Sequence, residues 1–200
     1  MNIHRITRKT ILAAVALMAI PAAAIAAPAV INAASAPRTT SAAPVALTSC
    51  PRGWGSLPEA NSRMTQAPVT AVRTGRHACY DRLVVDIRGR VAGYDVRYVP
   101  NVYTDGEGAL VPLRGGAKLQ FVVRAPAYDA AGRPTYSPAK PRELSNVAGY
   151  STLRQVAIAG SFEGQTTIGV GVRARLPFRV FTLAGPGSST RVVLDVAHHW

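Results

Sequence analysis

Acids, lysines and cysteines are all scarce in this chain. Ten Asp and Glu stand against 23 Lys and Arg, only three of the basic residues are lysine, and there are two cysteines. The acids are too few and too scattered for a calcium loop. Asp105-Gly106-Glu107-Gly108 lacks further acids at alternate positions and a distal Glu, so it reads as a turn with glycines for positive φ. No Gly-x-Ser-x-Gly elbow, His-Glu-x-x-His, P-loop or Cys-x-x-Cys occurs, which removes the motif-based routes to hydrolase, zinc, nucleotide and redox chemistry. No stretch sustains a helical period. Charged residues are 16% of the chain and hydrophobic ones 48%, enough apolar surface for a packed core and too much for disorder throughout.

What is present begins with a leader. Arg5, Arg8 and Lys9 precede an uncharged apolar run over residues 11–20, and Ala24-Ile25-Ala26 supplies a small-residue cleavage pattern, so residues 1–26 read as a secretory signal peptide. Pro21 and Pro28 interrupt the apolar run and argue against an anchor helix, which needs ~20 predominantly apolar residues. Membrane contact is expected only through the leader, where it stays uncleaved. Residues 27–49, rich in Ala, Pro, Ser and Thr, read as a disordered tether, and a folded domain is expected over 50–200. Export places the chain in an oxidising compartment, where Cys50 and Cys79 read as one disulfide. Leu47-Thr48-Ser49-Cys50 has the local shape of a lipidation box, but it does not follow the apolar run directly, and lipidation would leave Cys79 unpaired. A formal net charge of +13 and a pI near 10.8 predict attraction to anionic partners. Export argues against nucleic acid and leaves acidic headgroups and wall polymers.

The remaining pattern is all-β. Residues 191–196, Arg-Val-Val-Leu-Asp-Val, alternate as a half-buried strand with Val192, Leu194 and Val196 inward and Arg191, Val193 and Asp195 outward. The same pattern occurs at 82–87, Arg-Leu-Val-Val-Asp-Ile, so the domain carries a weak internal repeat. Residues 69–74, 94–98, 118–125, 153–159, 167–176 and 178–183 read as further strands. In 167–176, Gly169, Gly171, Arg173 and Arg175 face out, and the two glycines permit close approach of another surface. About nine strands separated by Gly/Pro turns predict a β-sandwich of two facing sheets. Residues 126–142 hold four prolines and read either as a binding loop or as a cross-over between sheets. Trp54 is expected as a lid on the sandwich edge.

Candidate chemistry is thin. Asp86 and Asp195 suggest a paired-carboxylate site, but each has an arginine on its own face, Arg82 or Arg88 for the first and Arg191 for the second, so local ion pairing is the expectation. His77, His198 and His199 are expected at the surface or at strand ends, and adjacent strand residues point to opposite faces, which disfavours His198 and His199 as joint metal ligands. No catalytic residue, metal or cofactor is expected. The ligand-binding candidates are Arg173, Arg175 and Arg179, read as an open row of forked cations able to meet carboxylates or phosphates of a polymer.

Taken together, residues 75–86, 111–116, 159–173 and 177–181, with the closing 191–195 strand and His198-His199-Trp200, resemble the AMIN-like domain of secreted actinobacterial proteins. The resemblance runs from about Cys50 to Trp200, and residues 162–173 carry its most specific part. It implies a β-sandwich that acts without catalysis as an envelope-associated binding module, secreted or wall-bound. The resemblance implies peptidoglycan or a wall-associated partner as ligand, and the basic charge adds an anionic wall polymer. The alternative is an accessory or inhibitory protein that docks on another secreted protein through the Pro-rich loop or a sheet edge. The resemblance assigns no ligand residue position by position.

Overall fold

Alternating apolar and polar residues, cut by Gly and Pro, produce strands throughout the computed structural model, which describes residues 49–90 and 92–200. In chain order these are β1 (Glu59–Asn61), β2 (Val69–Arg76), β3 (Tyr80–Ile87), β4 (Tyr94–Val99), β5 (Val102–Tyr103), β6 (Leu110–Val111), β7 (Ala117–Val123), β8 (Leu153–Phe162), β9 (Gln165–Val172), β10 (Phe178–Ala184) and β11 (Thr190–Ala197). All pairings are antiparallel. One sheet has five strands in the order β1-β4-β7-β9-β8, the other has four in the order β10-β11-β3-β2, and β5 and β6 form a separate hairpin. The architecture is the expected β-sandwich. The strands outside the ranges read from sequence are β1, β5 and β6, of three, two and two residues, too short to show a period. The leader and the tether, except Ser49, lie outside the described residues.

The inner faces share one core. Leu83, Val85 and Ile87 of β3 and Val192, Leu194 and Val196 of β11 join Leu119, Phe121 and Val123 of β7 and Ile168 and Val170 of β9, all without solvent exposure. Fully burying one such side chain stabilises the fold by roughly 1.5–3 kcal/mol. Strand β11 departs from expectation: Val193 and Asp195, on its outward face, are also at 0% exposure. It is a central strand between β3 and β10, and long side chains from both neighbours lie over it.

β9 also differs from its reading. It ends at Val172 rather than at residue 176. The chain then turns off the sheet, with Arg173 N–H donating to Thr152 O at 2.8 Å and Leu176 N–H to Tyr98 Oη at 2.9 Å. Gly169 and Gly171 do admit a closely approaching surface, and that surface belongs to this chain. A Cβ on Gly169 would lie 2.8 Å from Leu113 Cδ1, and one on Gly171 would run into the Arg114 carbonyl. There Val102, Val111, Ala157 and Ala159 form a second small core, joined by Val99 and Leu113.

The Pro-rich stretch joins β7 to β8 within the five-stranded sheet, passing β9 between them, so it is not a cross-over between sheets. It closes the open side of the sandwich, where β2 and β8 are edge strands with unpaired backbone groups. Val69 N–H donates to Pro126 O at 2.7 Å and Thr135 Oγ1 to Val69 O at 2.8 Å on β2. Ile158 N–H donates to Pro141 O and Leu144 N–H to Val156 O, both at 2.8 Å, on β8. The opposite side is closed by β1 and its approach: Gly55 bridges Phe178, and the Glu59 carboxylate accepts the Val180 N–H at 2.9 Å.

Candidate functional site

The three candidate arginines do not form one row. Arg173 and Arg175 follow the end of β9. Arg173 Nη2 donates to His198 O at 2.6 Å. Arg175 Nε and Nη2 donate to Ser56 Oγ at 3.1 Å and Ser56 O at 2.9 Å, with the guanidinium 5.0 Å from the Tyr98 ring centre. Only Arg179 lies on a strand, β10. Its Nε and Nη2 donate to Asp195 Oδ2 at 3.0 and 2.9 Å. A strand face shared by Arg173 and Arg175 required β9 to continue, and the turn after Val172 prevents it.

A different arginine set gathers on the outer face of the four-stranded sheet, and the internal repeat explains it. β3 and β11 run antiparallel with Arg82 opposite Asp195, Asp86 opposite Arg191, and Val84 opposite Val193 at the centre. A motif with a cation first and an anion four residues later, paired antiparallel with its own copy, sets each cation against the other copy's anion. The expected ion pairs are therefore corrected. Asp195 is held by Arg82 through Nε–Oδ1 at 2.6 Å and Nη2–Oδ2 at 2.8 Å, and by Arg179, not by Arg191. Asp86 is held by Arg73 of β2, with Nε–Oδ2 at 2.7 Å and Nη2–Oδ1 at 2.8 Å, not by Arg82 or Arg88. These bidentate hydrogen bonds raise the pKa of Arg82 and of Arg73, against the opposing effect of desolvation. Arg191 makes no side-chain hydrogen bond among the described residues.

Aromatic rings hold the buried end of this array. Arg179 lies 4.5 Å from the Trp54 ring centre and 4.7 Å from that of Phe181, and Arg82 lies 5.2 Å from that of Tyr80. Trp54 and Tyr80 are 5.6 Å apart, and His77 stacks on Tyr80 at 4.5 Å. Trp54 thus roofs the outer sheet face beside the β10 edge. The segment carrying it is tied down by the disulfide between Cys50 and Cys79, 5.3 Å apart at Cα. Near it, burial pushes the Glu59 carboxyl up from its ordinary value, against the opposing Val180 N–H and Arg179 charge.

Two hollows flank the array. A groove of about 230 Å³ is lined by Arg73, Arg82, Arg191, Val84, Val193 and Leu183, with Thr74 and Gly75 at its β2 side. A cleft of about 630 Å³ lies between the disulfide, Trp54, Arg52, Pro177, His199 and Trp200. Asp86 and Asp195 stand opposite partners four residues apart along the same strand pair, a separation of about 13 Å at 3.3 Å per residue. Glycosidase carboxylates stand roughly 5–9.5 Å apart. No group of three or more His, Cys, Asp or Glu able to hold a metal occurs among the described residues.

The structure also contains a pair that sequence reading missed. Asp81 is 1% exposed. It accepts N–H bonds from Thr152 at 2.5 Å and Leu153 at 3.0 Å, and its Oδ1 lies 3.2 Å from His198 Nε2. His198 stands at the end of β11, as one of its two readings had it, but is buried rather than at the surface, and the Asp81 carboxylate ties β3 to the start of β8. His199 remains exposed. Nothing local marks Asp81, since its partners are more than 70 positions away.

The family model described as AMIN-like domain matches residues 67–198. The match takes in β2 to β11 and all four arginines of the array. No curated protein and no solved structure matches the chain.

Proposed function

The chain belongs to the AMIN-like domain family, and from that premise we propose that it is an exported, non-catalytic module of the cell envelope. It holds peptidoglycan or an anionic wall polymer on the arginine face of its four-stranded sheet. The observation that carries this reading is the composition of that face. Arg73, Arg82, Arg179 and Arg191 come from four neighbouring strands and stand against two acids, Asp86 and Asp195. A polymer with regularly spaced anions engages several such forks at once, and weak single contacts then add up to retention. The wide separation of Asp86 and Asp195, each occupied by arginine, supports binding over glycoside hydrolysis.

Retention of the purified exported chain on isolated cell wall over a salt series tests the proposal. Retention is expected at low salt and should fall as salt screens the exposed guanidiniums. An Arg73→Ala/Arg191→Ala variant should be lost at lower salt than Arg173→Ala/Arg175→Ala, whose side chains hold His198 and Ser56. No retention at any salt would refute wall binding. A stoichiometric secreted protein that co-purifies in its place would then establish the accessory or inhibitory alternative.

A further inference from the structure

We propose that the groove between Arg73, Arg82 and Arg191 is a subsite for a single carboxylate carried on a short aliphatic group, with Arg191 as the cation that receives it. This rests on the wall-binding reading and narrows it from an anionic polymer to one functional group at one place.

The first argument is the asymmetry of the repeat. The register offers two equivalent pairs, Arg82 with Asp195 and Arg191 with Asp86. The first closes. The second does not, because Arg73 takes both oxygens of Asp86 from the far side. On the other flank of β11 the residue opposite Arg191 is Leu183, which is apolar. Arg191 is thus left between a neutralised carboxylate and a leucine, with its donors unused by any described residue. A guanidinium has five N–H donors and no acceptor, and a planar oxyanion is its matching partner.

The second argument is the groove itself. Its floor is Val84, the half-buried member of the central cross-strand pair whose partner Val193 is fully buried, and Leu183 also lines it. Gly75 keeps the β2 side low, since even an added Cβ there would meet nothing closer than His77 Nε2 at 3.8 Å. The Nη1 groups of Arg73 and Arg82 also donate to no described residue. A phosphate, polar on every side, would lose water against the valine floor without return. A carboxylate on a short aliphatic group gives its oxygens to the fork and its hydrocarbon to the floor. The volume of about 230 Å³ falls below the 300–1,000 Å³ of typical small-molecule pockets, which suits one residue of a larger ligand. The same face already clasps two carboxylates in bidentate fashion, those of Asp86 and Asp195.

The test is an NMR titration of the purified exported chain, isotope-labelled, with N-acetylalanine, with its carboxamide, and with inorganic phosphate. N-acetylalanine should give saturable shifts at the amides of Val84, Arg191 and Val193, with millimolar affinity, and the carboxamide should give none. Arg191→Ala should weaken binding about tenfold or more, and Arg191→Lys should fall between, because an ammonium keeps the charge and loses the fork. Both variants should fold, since Arg191 holds no described side chain. Equal response to the carboxamide, unchanged affinity in Arg191→Ala, or no saturable shift up to tens of millimolar would each overturn the subsite. Tighter binding of phosphate would overturn the carboxylate assignment in favour of a phosphate polymer. Wall retention measured alongside separates the two claims. Retention without carboxylate binding removes the subsite alone, and carboxylate binding without retention removes the wall reading alone.

Discussion

The outer face of the five-stranded sheet carries glycine where the outer face of the four-stranded sheet carries arginine. Gly169 and Gly171 lie flat under Val102, Leu113 and the Arg114 carbonyl, and the β5–β6 hairpin seals them with a small apolar core. Across the sandwich, β2, β3, β10 and β11 raise Arg73, Arg82, Arg179 and Arg191 around Val84 and Val193, and no other strand among the described residues covers them. Both faces belong to alternating strands whose inward residues are apolar. What differs is the outward residue. A glycine face lets the chain's own backbone approach, and a guanidinium face holds it off with charge, length and hydration. Among the described residues, the face left open away from Trp54 is therefore the charged one.

The largest way to break this contrast is to remove the anion under the charged face. Asp195 is fully buried beneath two guanidiniums, so Asp195→Ala leaves both without their carboxylate and should cost about 4 kcal/mol, read from the shift of the urea midpoint. An unchanged midpoint would mean that solvent replaces the ion pair freely. Opening the Cys50–Cys79 bond by a double serine substitution should cost about 3 kcal/mol. It should also free Trp54 from Arg179, which an increase in fluorescence quenching by added iodide would report. On the covered face, Gly171→Ala places a methyl group against the Arg114 carbonyl and should cost about 2 kcal/mol. Wall retention per folded molecule should not change, and a loss would show that the two faces are coupled.

The smallest effect sharpens the seam between the sheets. Burial raises the folded pKa of Glu59 above its ordinary value near 4.5. Its contribution is thus present below that value and is lost as pH rises through the raised folded pKa. Glu143 has the opposite sign: its hydrogen bond to Arg114 lowers its pKa, so its contribution is present above the ordinary value and lost as pH falls. Glu59→Gln should therefore gain stability relative to wild type as pH rises from acid, and Glu143→Gln should lose it. Urea midpoints taken across that range would show either a slope of these signs or none.

Much of the fold was legible because its signals are local. The period-two runs at 80–87 and 190–197, the Gly/Pro breaks and the two cysteines each speak within a few residues. The long Pro-rich stretch could not be placed, because its role depends on which edges it faces: β2 lies far before it in sequence, β8 follows it, and only strand pairing decides that both are edges and stand beside it. The single row expected of Arg173, Arg175 and Arg179 fails for a similar reason. Arg173 and Arg175 alternate correctly on paper, but strand length is limited by the partners available, and beyond Val172 the backbone bonds instead to Thr152 O and Tyr98 Oη.

The repeat marks the boundary between the two kinds of information. Sequence alone determined that Arg82 and Asp86, like Arg191 and Asp195, would stand on the outward side of two similar strands, because side chains on a strand alternate regardless of context. Only the tertiary structure decided that the copies run antiparallel side by side, that Asp195 is buried under Arg82 and Arg179, that Asp86 is taken by Arg73, and that Arg191 is left facing the groove. Alternation is a property of one strand, whereas the partner of a charge is chosen by register between strands, and register is set by the packing of the whole core.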